Sequence, residues 1–436
     1  MTSRALRWLL PGLRIKRWLA LLVGAVALAA VGAVLTVRSW GLPHEPTAAY
    51  AALVLGGVVV GFYAVSQLIT AVVTAFVPTD QVGIADSYWR ARALLRGPRI
   101  VALGGGTGLP VLLRGLKQYS ANITAIVAVT DDGGSSGRLR GELGVPPPGD
   151  LRNCLLALAE TEPLLEQLFQ YRFSSGEGLS GHAFGNLFLA AMCTVTGDLQ
   201  EAIRASSRVL AVRGQVLPAT DDQVRLQAEM ADGRIVVGES MIPRAGGIVR
   251  RVVLEPEDAA PTREALEAIE AADVIVLAPG SLFTSLMPNL LVRGIADAIR
   301  ASSALRFYVQ NIMTQPGETD DMSTEDHLAA IERHAGGGLV DCVVVNDEPL
   351  DAPTLERYRQ SGACVVPYRR ERLQAAGYEV IAAPLLAPES SRAWHDPAAM
   401  ARCILQRWSR RRPEAGRVLD VLLLRDMLRG EQREAR

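Results

Sequence analysis

The residues best suited to chemistry sit in short glycine- and hydroxyl-rich stretches, each placed just after an apolar run. The first is Gly104-Gly105-Gly106-Thr107-Gly108, between the apolar RIVAL of residues 99–103 and a helical pattern over 109–118. Glycines let a backbone approach a phosphate closely, and the free N–H groups of a helix N-terminus favour an anion. The alternative reading is a tight strand-to-helix turn without a ligand. The loop has neither the spacing of the dinucleotide fingerprint nor the Gly-Lys-Ser/Thr of a P-loop, which disfavours nicotinamide redox chemistry and ATP hydrolysis by those routes.

The second stretch follows the β-branched run 123–129 and reads Thr130-Asp131-Asp132-Gly133-Gly134-Ser135-Ser136-Gly137. An acidic residue about twenty positions after a glycine loop is placed to bind a ribose hydroxyl. Two adjacent carboxylates, Asp131 and Asp132, can instead hold magnesium bridging to phosphate oxygens. Ser135 and Ser136 add hydroxyl groups, and a solvated turn is the plainer alternative. Further along, Pro146–Asn153 places Asp150 as an N-cap and puts Arg152 and Asn153 in the first turn of a helix. His182 and Asn186, four residues apart in GLSGHAFGN, share a face of a helix that starts near Ser180. They are candidates for ligand contact or proton transfer, or a structural pair. Gly280 and Ser281 repeat the strand-end glycine and hydroxyl, and Asn311 opens a polar loop through Asp320.

The elements that carry these loops alternate as strand and helix, giving an α/β, doubly wound parallel sheet over residues 98–390. Strands are predicted at 99–103, 123–129, 274–278, 306–310, 343–345 and 364–366, with one helix near 283–300. Ala231-Asp232-Gly233 between two extended runs marks a small β insertion.

Residues 18–37 and the stretch 48–77, most apolar over about 52–74, carry no charge and are long enough for two transmembrane helices. Arg4, Arg7, Arg14, Lys16 and Arg17 precede the first, Arg90, Arg92, Arg96 and Arg99 follow the second, and the loop between holds only Arg38. Positive residues stay inside, so both ends of this hairpin (18–77) face the cytoplasm. Residues 1–17 form a basic N-terminus, 78–97 a linker and 391–436 an arginine-rich tail.

With 45 basic and 46 acidic residues among 436, the chain lacks the basic balance of a nucleic-acid binder. Five scattered cysteines without CxxC spacing argue against a disulfide framework or structural zinc.

Taken in order, the motifs GGGTGLPVLLRGLK, TDDGGSSGRLR, PPPGDLRN, EPLLEQLFQYRF, GLSGHAFGNL, ADVIVLAPGSLFTS and NIMTQPGETD closely resemble the bacterial gluconeogenesis factor family, relatives of 2-phospho-L-lactate transferase. The resemblance spans about residues 99–380. It implies a Rossmann-like domain that binds a nucleotide diphosphate such as UDP-N-acetylglucosamine, and a part in cell shape and cell-wall precursor supply during gluconeogenic growth. By motif, the pocket includes Gly104–Gly108, Asp131, Asp132, Ser135, Asn153, His182, Asn186, Gly280, Ser281 and Asn311. Phe283 stands where the family commonly carries tyrosine, and many members lack the hairpin. A ligand-sensing regulator without a required cofactor is favoured by the 5% aromatic content, which offers no stacking platform for a deazaflavin acceptor; it would act through a protein partner that the sequence does not identify, and a homodimer is compatible with it. A magnesium-dependent transferase, with Asp131 and Asp132 as metal ligands, is the alternative, and no catalytic residue is assigned.

Overall fold

The computed structural model describes residues 15–40, 47–76, 91–160, 163–388, 392–412, 419–420 and 422–423. The chain divides into two units, residues 1–92 and 93–436. The flanking Arg4, Arg7, Arg14 and Arg90 and the loop 41–46 lie outside the described residues.

In the first unit, α1 (Ile15–Ser39) and α2 (Thr47–Phe76) pair as a hairpin. Each contains a 23-residue stretch long and apolar enough to cross a membrane. Small residues let the backbones close together. A Cβ on Gly32 would lie 2.9 Å from the Val54 nitrogen, and one on Gly57 2.7 Å from the Ala29 nitrogen. Such contacts supply van der Waals packing where lipid removes the hydrophobic drive between helices. Trp18 meets Tyr63 edge-on at 5.8 Å at the other end of the seam.

In the second unit, seven parallel strands lie in the order β10-β9-β8-β7-β1-β2-β3. They are β1 (Ile100–Gly104), β2 (Ile123–Val127), β3 (Gln215–Pro218), β7 (Val274–Leu277), β8 (Leu305–Val309), β9 (Cys342–Asn346) and β10 (Glu379–Ala383). β1, β2 and β7 are buried along their whole length, as their unbroken apolar runs require when helices cover both faces. The chain winds outward from β1 through β2 to β3, returns to β7 beside β1, then winds the other way. The switch point therefore lies between β1 and β7, where the carboxyl ends of neighbouring strands diverge and leave a crevice.

The β insertion is a three-stranded antiparallel sheet of β4 (Arg225–Met230), β5 (Ile235–Val237) and β6 (Val249–Glu255), in the order β5-β4-β6. Its turn forms at Gly233, whose φ is +84°, and Asp232 Oδ1 accepts from the Arg234 nitrogen at 3.1 Å.

Several elements differ from the sequence expectation. Residues 364–366 are not a strand: Val365 makes only an isolated bridge to Met313, and the outer strand is β10. The single helix near 283–300 is a π turn, Leu282–Leu286, followed by the helices Met287–Leu291 and Ile295–Ala301, with a 77° bend. Gly294, at φ +86°, breaks the helical path. The C-terminal helix Pro397–Arg411 belongs to the core, burying Met400, Ile404, Leu405 and Trp408, so the tail begins later than residue 391. It seats on the helix Gly108–Leu116, where a Cβ on Gly115 would lie 1.9 Å from the Pro397 oxygen. Of the apolar tail segment 419–428, Leu419, Leu422 and Leu423 are described, and all three are buried. The five cysteines are free; Cys154 and Cys342 are buried and Cys364 is exposed.

Candidate functional site

A cavity of about 920 Å³ opens at the switch point. Its floor is Gly106, Thr107 and Gly108 after β1 and Pro279, Gly280 and Ser281 after β7. Arg114, Arg152 and Arg172 bring positive charge to its lining, the loop after β8 contributes Asn311 to Gln315, and Tyr358, Trp394 and His395 add aromatic rings. Burial holds His395 neutral by pushing its pKa down to about 4.

The glycines serve close packing between the two central loops. A Cβ on Gly108 would lie 1.9 Å from the Pro279 oxygen, and one on Gly105 2.7 Å from Asp150 Oδ2. Gly106 has room, since its nearest neighbour would be Ser285 Oγ at 3.4 Å, but its φ of +58° favours glycine. Thr107 occupies the N-cap without a side-chain capping bond.

Two of the backbone N–H groups expected to meet phosphate already have acceptors. Gly106 donates to Asp150 Oδ2 at 2.6 Å, and Gly280 to Asn311 Oδ1 at 2.8 Å. Asn311 returns a bond from Nδ2 to the Gly280 oxygen at 2.6 Å, so this side chain pins the loop after β7. At the start of the π turn, Glu318 Oε1 accepts from Phe283 at 2.7 Å and from Thr284 at 3.0 Å. Burial pushes Glu318 up to about 7 against the pull of those donors. Asp150 is thus no N-cap: it lies inside the helix Gly149–Leu158, whose N-cap position is Pro148, and reaches across to the first loop. Desolvation raises its pKa to about 6, partly offset by the Gly106 bond.

Asp131 and Asp132 do not line the cavity. Asp131 Oδ1 accepts from Gly133 at 2.9 Å, and Asp132 Oδ1 from Ser240 at 2.8 Å. Their other oxygens have different neighbours: a Cβ on Gly149 would lie 3.1 Å from Asp131 Oδ2, and one on Gly238 2.5 Å from Asp132 Oδ2. Among the described residues no three His, Cys, Asp or Glu groups converge as metal ligands. One oxygen of each carboxylate is thus held by a different backbone N–H, that of Gly133 or that of Ser240.

Ser135, His182 and Asn186 come together in a buried network. Ser135 Oγ lies 3.0 Å from His182 Nδ1 and accepts from Asn186 Nδ2 at 3.1 Å. His182 precedes the helix Phe184–Thr196 rather than sharing its face, because the helix starts later than Ser180. Burial and then Arg138 lower its pKa. Ser136 is buried beside Gly149. Asn153 and the Gly280–Ser281 pair reach the cavity, and Ser281 Oγ donates to Gln315 Oε1 at 2.8 Å.

Sequence reasoning missed Glu239, Arg114, Arg172, Tyr358 and Trp394. Glu239 follows β5, in the span expected as strand, where Gly238 at φ +105° turns the chain into the cavity. Desolvation first, then Asp131, push its pKa up to about 8. Tyr358 and Trp394 come from separate segments, so low aromatic content did not preclude aromatic rings in the cavity lining. Phe283 is fully buried against His334, ring centroids 5.8 Å apart, and does not line the cavity.

A doubly wound parallel sheet with a cavity of arginine, glycine-loop and aromatic lining at its switch point defines a Rossmann-like α/β protein. The chain belongs to the family described as 2-phospho-L-lactate transferase CofD, which matches residues 100–386. It is similar to the gluconeogenesis factor of Halalkalibacterium halodurans, 51% identical over 72% of this chain and 97% of that one. A Nostoc sp. relative whose name carries the same words is 47% identical over 92% of each chain. A crystal structure of a UPF0052 family member from Bacillus halodurans superposes with a TM-score of 0.69 at 51% identity, covering 71% of this chain and 99% of that one.

Proposed function

We propose that this protein is a membrane-anchored regulator that binds a nucleotide sugar, UDP-N-acetylglucosamine, without consuming it. In this reading it couples ligand supply to cell-wall precursor synthesis and cell shape during gluconeogenic growth through a protein partner. The observation that carries the reading is the cavity at the switch point: about 920 Å³, lined by Arg114, Arg152 and Arg172 and by Tyr358 and Trp394. Ligand pockets of this kind run to roughly 300–1,000 Å³, and a nucleotide sugar presents phosphates and a flat base at its separate parts. The names of the relatives support the gluconeogenic setting. The two apolar helices support anchoring, and the arginines flanking them support a cytoplasmic α/β unit.

A transferase reading is favoured by the family's description as 2-phospho-L-lactate transferase. The backbone bonds that already occupy one oxygen each of Asp131 and Asp132 weigh against its magnesium-bridged form. Calorimetric titration of the full-length protein in detergent with UDP-N-acetylglucosamine, with chromatography of the ligand afterwards, separates the two. Micromolar binding with the ligand recovered intact supports the regulator. Consumption of the ligand supports the transferase, and absence of binding removes the nucleotide sugar.

A further inference from the structure

Asp150, Asn311 and Glu318 engage the backbone N–H groups of Gly106, Gly280, Phe283 and Thr284, so at these positions an anion in the cavity has to be met by side-chain cations. Arg152 is set in place for that task. Its stem passes through a slot in which a Cβ on Gly185 would lie 2.6 Å from Arg152 Cδ and 2.8 Å from the Phe169 oxygen. Its Nη1 donates to Asn186 Oδ1 at 2.7 Å and its Nη2 to Asn153 Oδ1 at 2.8 Å. Asn186 Nδ2 donates in turn to Ser135 Oγ, which shares a hydrogen bond with His182 Nδ1 at 3.0 Å. A chain of hydrogen bonds thus connects Arg152 through Asn186 and Ser135 to His182, and each bond polarises the next.

Two features mark Arg152 as unsatisfied. Its Nε is buried without a hydrogen-bond partner, and the foremost neighbouring charge acting on it is another cation, Arg172. Asp150 and Asp131 act in the opposite sense, yet among the described residues Arg152 makes no ion pair within 4.0 Å. Two guanidinium groups lining one cavity repel until an anion joins them, and a forked guanidinium matches a phosphoryl group's oxygens.

We propose that Arg152 and Arg172 form the anion subsite of the cavity, taking a phosphoryl group of the bound ligand, and that Asn186, Ser135 and His182 are positioning residues that aim Arg152. The proposal rests on the cavity being the site of a phosphorylated ligand. The probes are inorganic pyrophosphate and, separately, UDP-N-acetylglucosamine, titrated calorimetrically into the full-length protein in detergent at several NaCl concentrations. Wild type is expected to bind pyrophosphate, and Arg152→Gln to bind it at least tenfold more weakly with a flatter salt dependence. Arg152→Lys should recover part of the affinity. Asn186→Ala should weaken binding while keeping the wild-type salt dependence, because every charge remains. Arg172→Gln, at an exposed position, gives the same readout if Arg152→Gln does not fold. Failure of wild type to bind pyrophosphate, or wild-type affinity in folded Arg152→Gln and Arg172→Gln, overturns the subsite. Pyrophosphate binding without nucleotide-sugar binding retains the subsite and removes UDP-N-acetylglucosamine; nucleotide-sugar binding insensitive to both arginine variants does the reverse.

Discussion

Replacing Asp150 by asparagine removes one buried charge while leaving an oxygen to accept from Gly106, now 2.6 Å from Asp150 Oδ2. The carboxyl has an ordinary value of 3.8 and is raised to about 6 in the folded protein, first by desolvation. Between those values the folded protein holds a proton that the unfolded chain has lost, so stability falls as pH rises through this window. Above about pH 6 the full penalty stands, ~3 kcal/mol at about 1.4 kcal/mol per pH unit. Partial solvent contact and the weaker acceptor strength of an amide reduce the net gain expected for Asp150→Asn to ~1–2 kcal/mol. In a unit of this length that is roughly 2–3 °C in Tm. The assay is thermal unfolding of both proteins from pH 4.5 to 8.5, read as the difference in Tm. The gap should widen in favour of Asp150→Asn up to about pH 6–7 and then level. Glu239 and Glu318, raised to about 8 and about 7, titrate in both proteins, so most of their contribution cancels in the difference. A difference flat across the range, or a variant less stable than wild type at pH 8, would refute the view of Asp150 as a desolvated carboxylate.

Gly108→Ala places a Cβ 1.9 Å from the Pro279 oxygen, so the two central loops must part; overpacking of this kind costs about 1–3 kcal/mol, and both Tm and affinity for the cavity's ligand should fall. Unchanged Tm and affinity would show that the loops do not approach so closely. Leu103→Ala, at a fully buried position in β1, should cost ~2–5 kcal/mol in urea unfolding, and a loss under 1 kcal/mol would place that strand outside the core. Removal of residues 1–92 should release the second unit from membranes in a fractionation assay, and continued sedimentation with membranes would contradict anchoring by α1 and α2.

What the sequence determined by itself rests on short-range physics. Long uncharged stretches announce α1 and α2, and β-branched runs ended by glycine turns announce β1, β2 and β7, because burial on both faces of the sheet leaves those strands no polar positions to blur the pattern. Motif order was enough to recognise the family. The hydroxyl, amide and imidazole groups of Ser135, Asn186 and His182 were also visible as unusual company for glycine loops. Only the tertiary structure decided what those groups face. Asp150 turned from a cap into an acceptor for a loop 44 residues earlier, and Glu318 met the π turn 35 residues before it. Ser135, Asn186 and His182 turned inward toward Arg152 rather than toward the cavity. Arg172, Glu239, Tyr358 and Trp394 come from four separate segments, and no local pattern marks them. Spacing along a chain fixes which side chains share one helix or strand. Which carboxylate takes which backbone N–H depends on how close two loops pack, and that is set by the sheet's strand order.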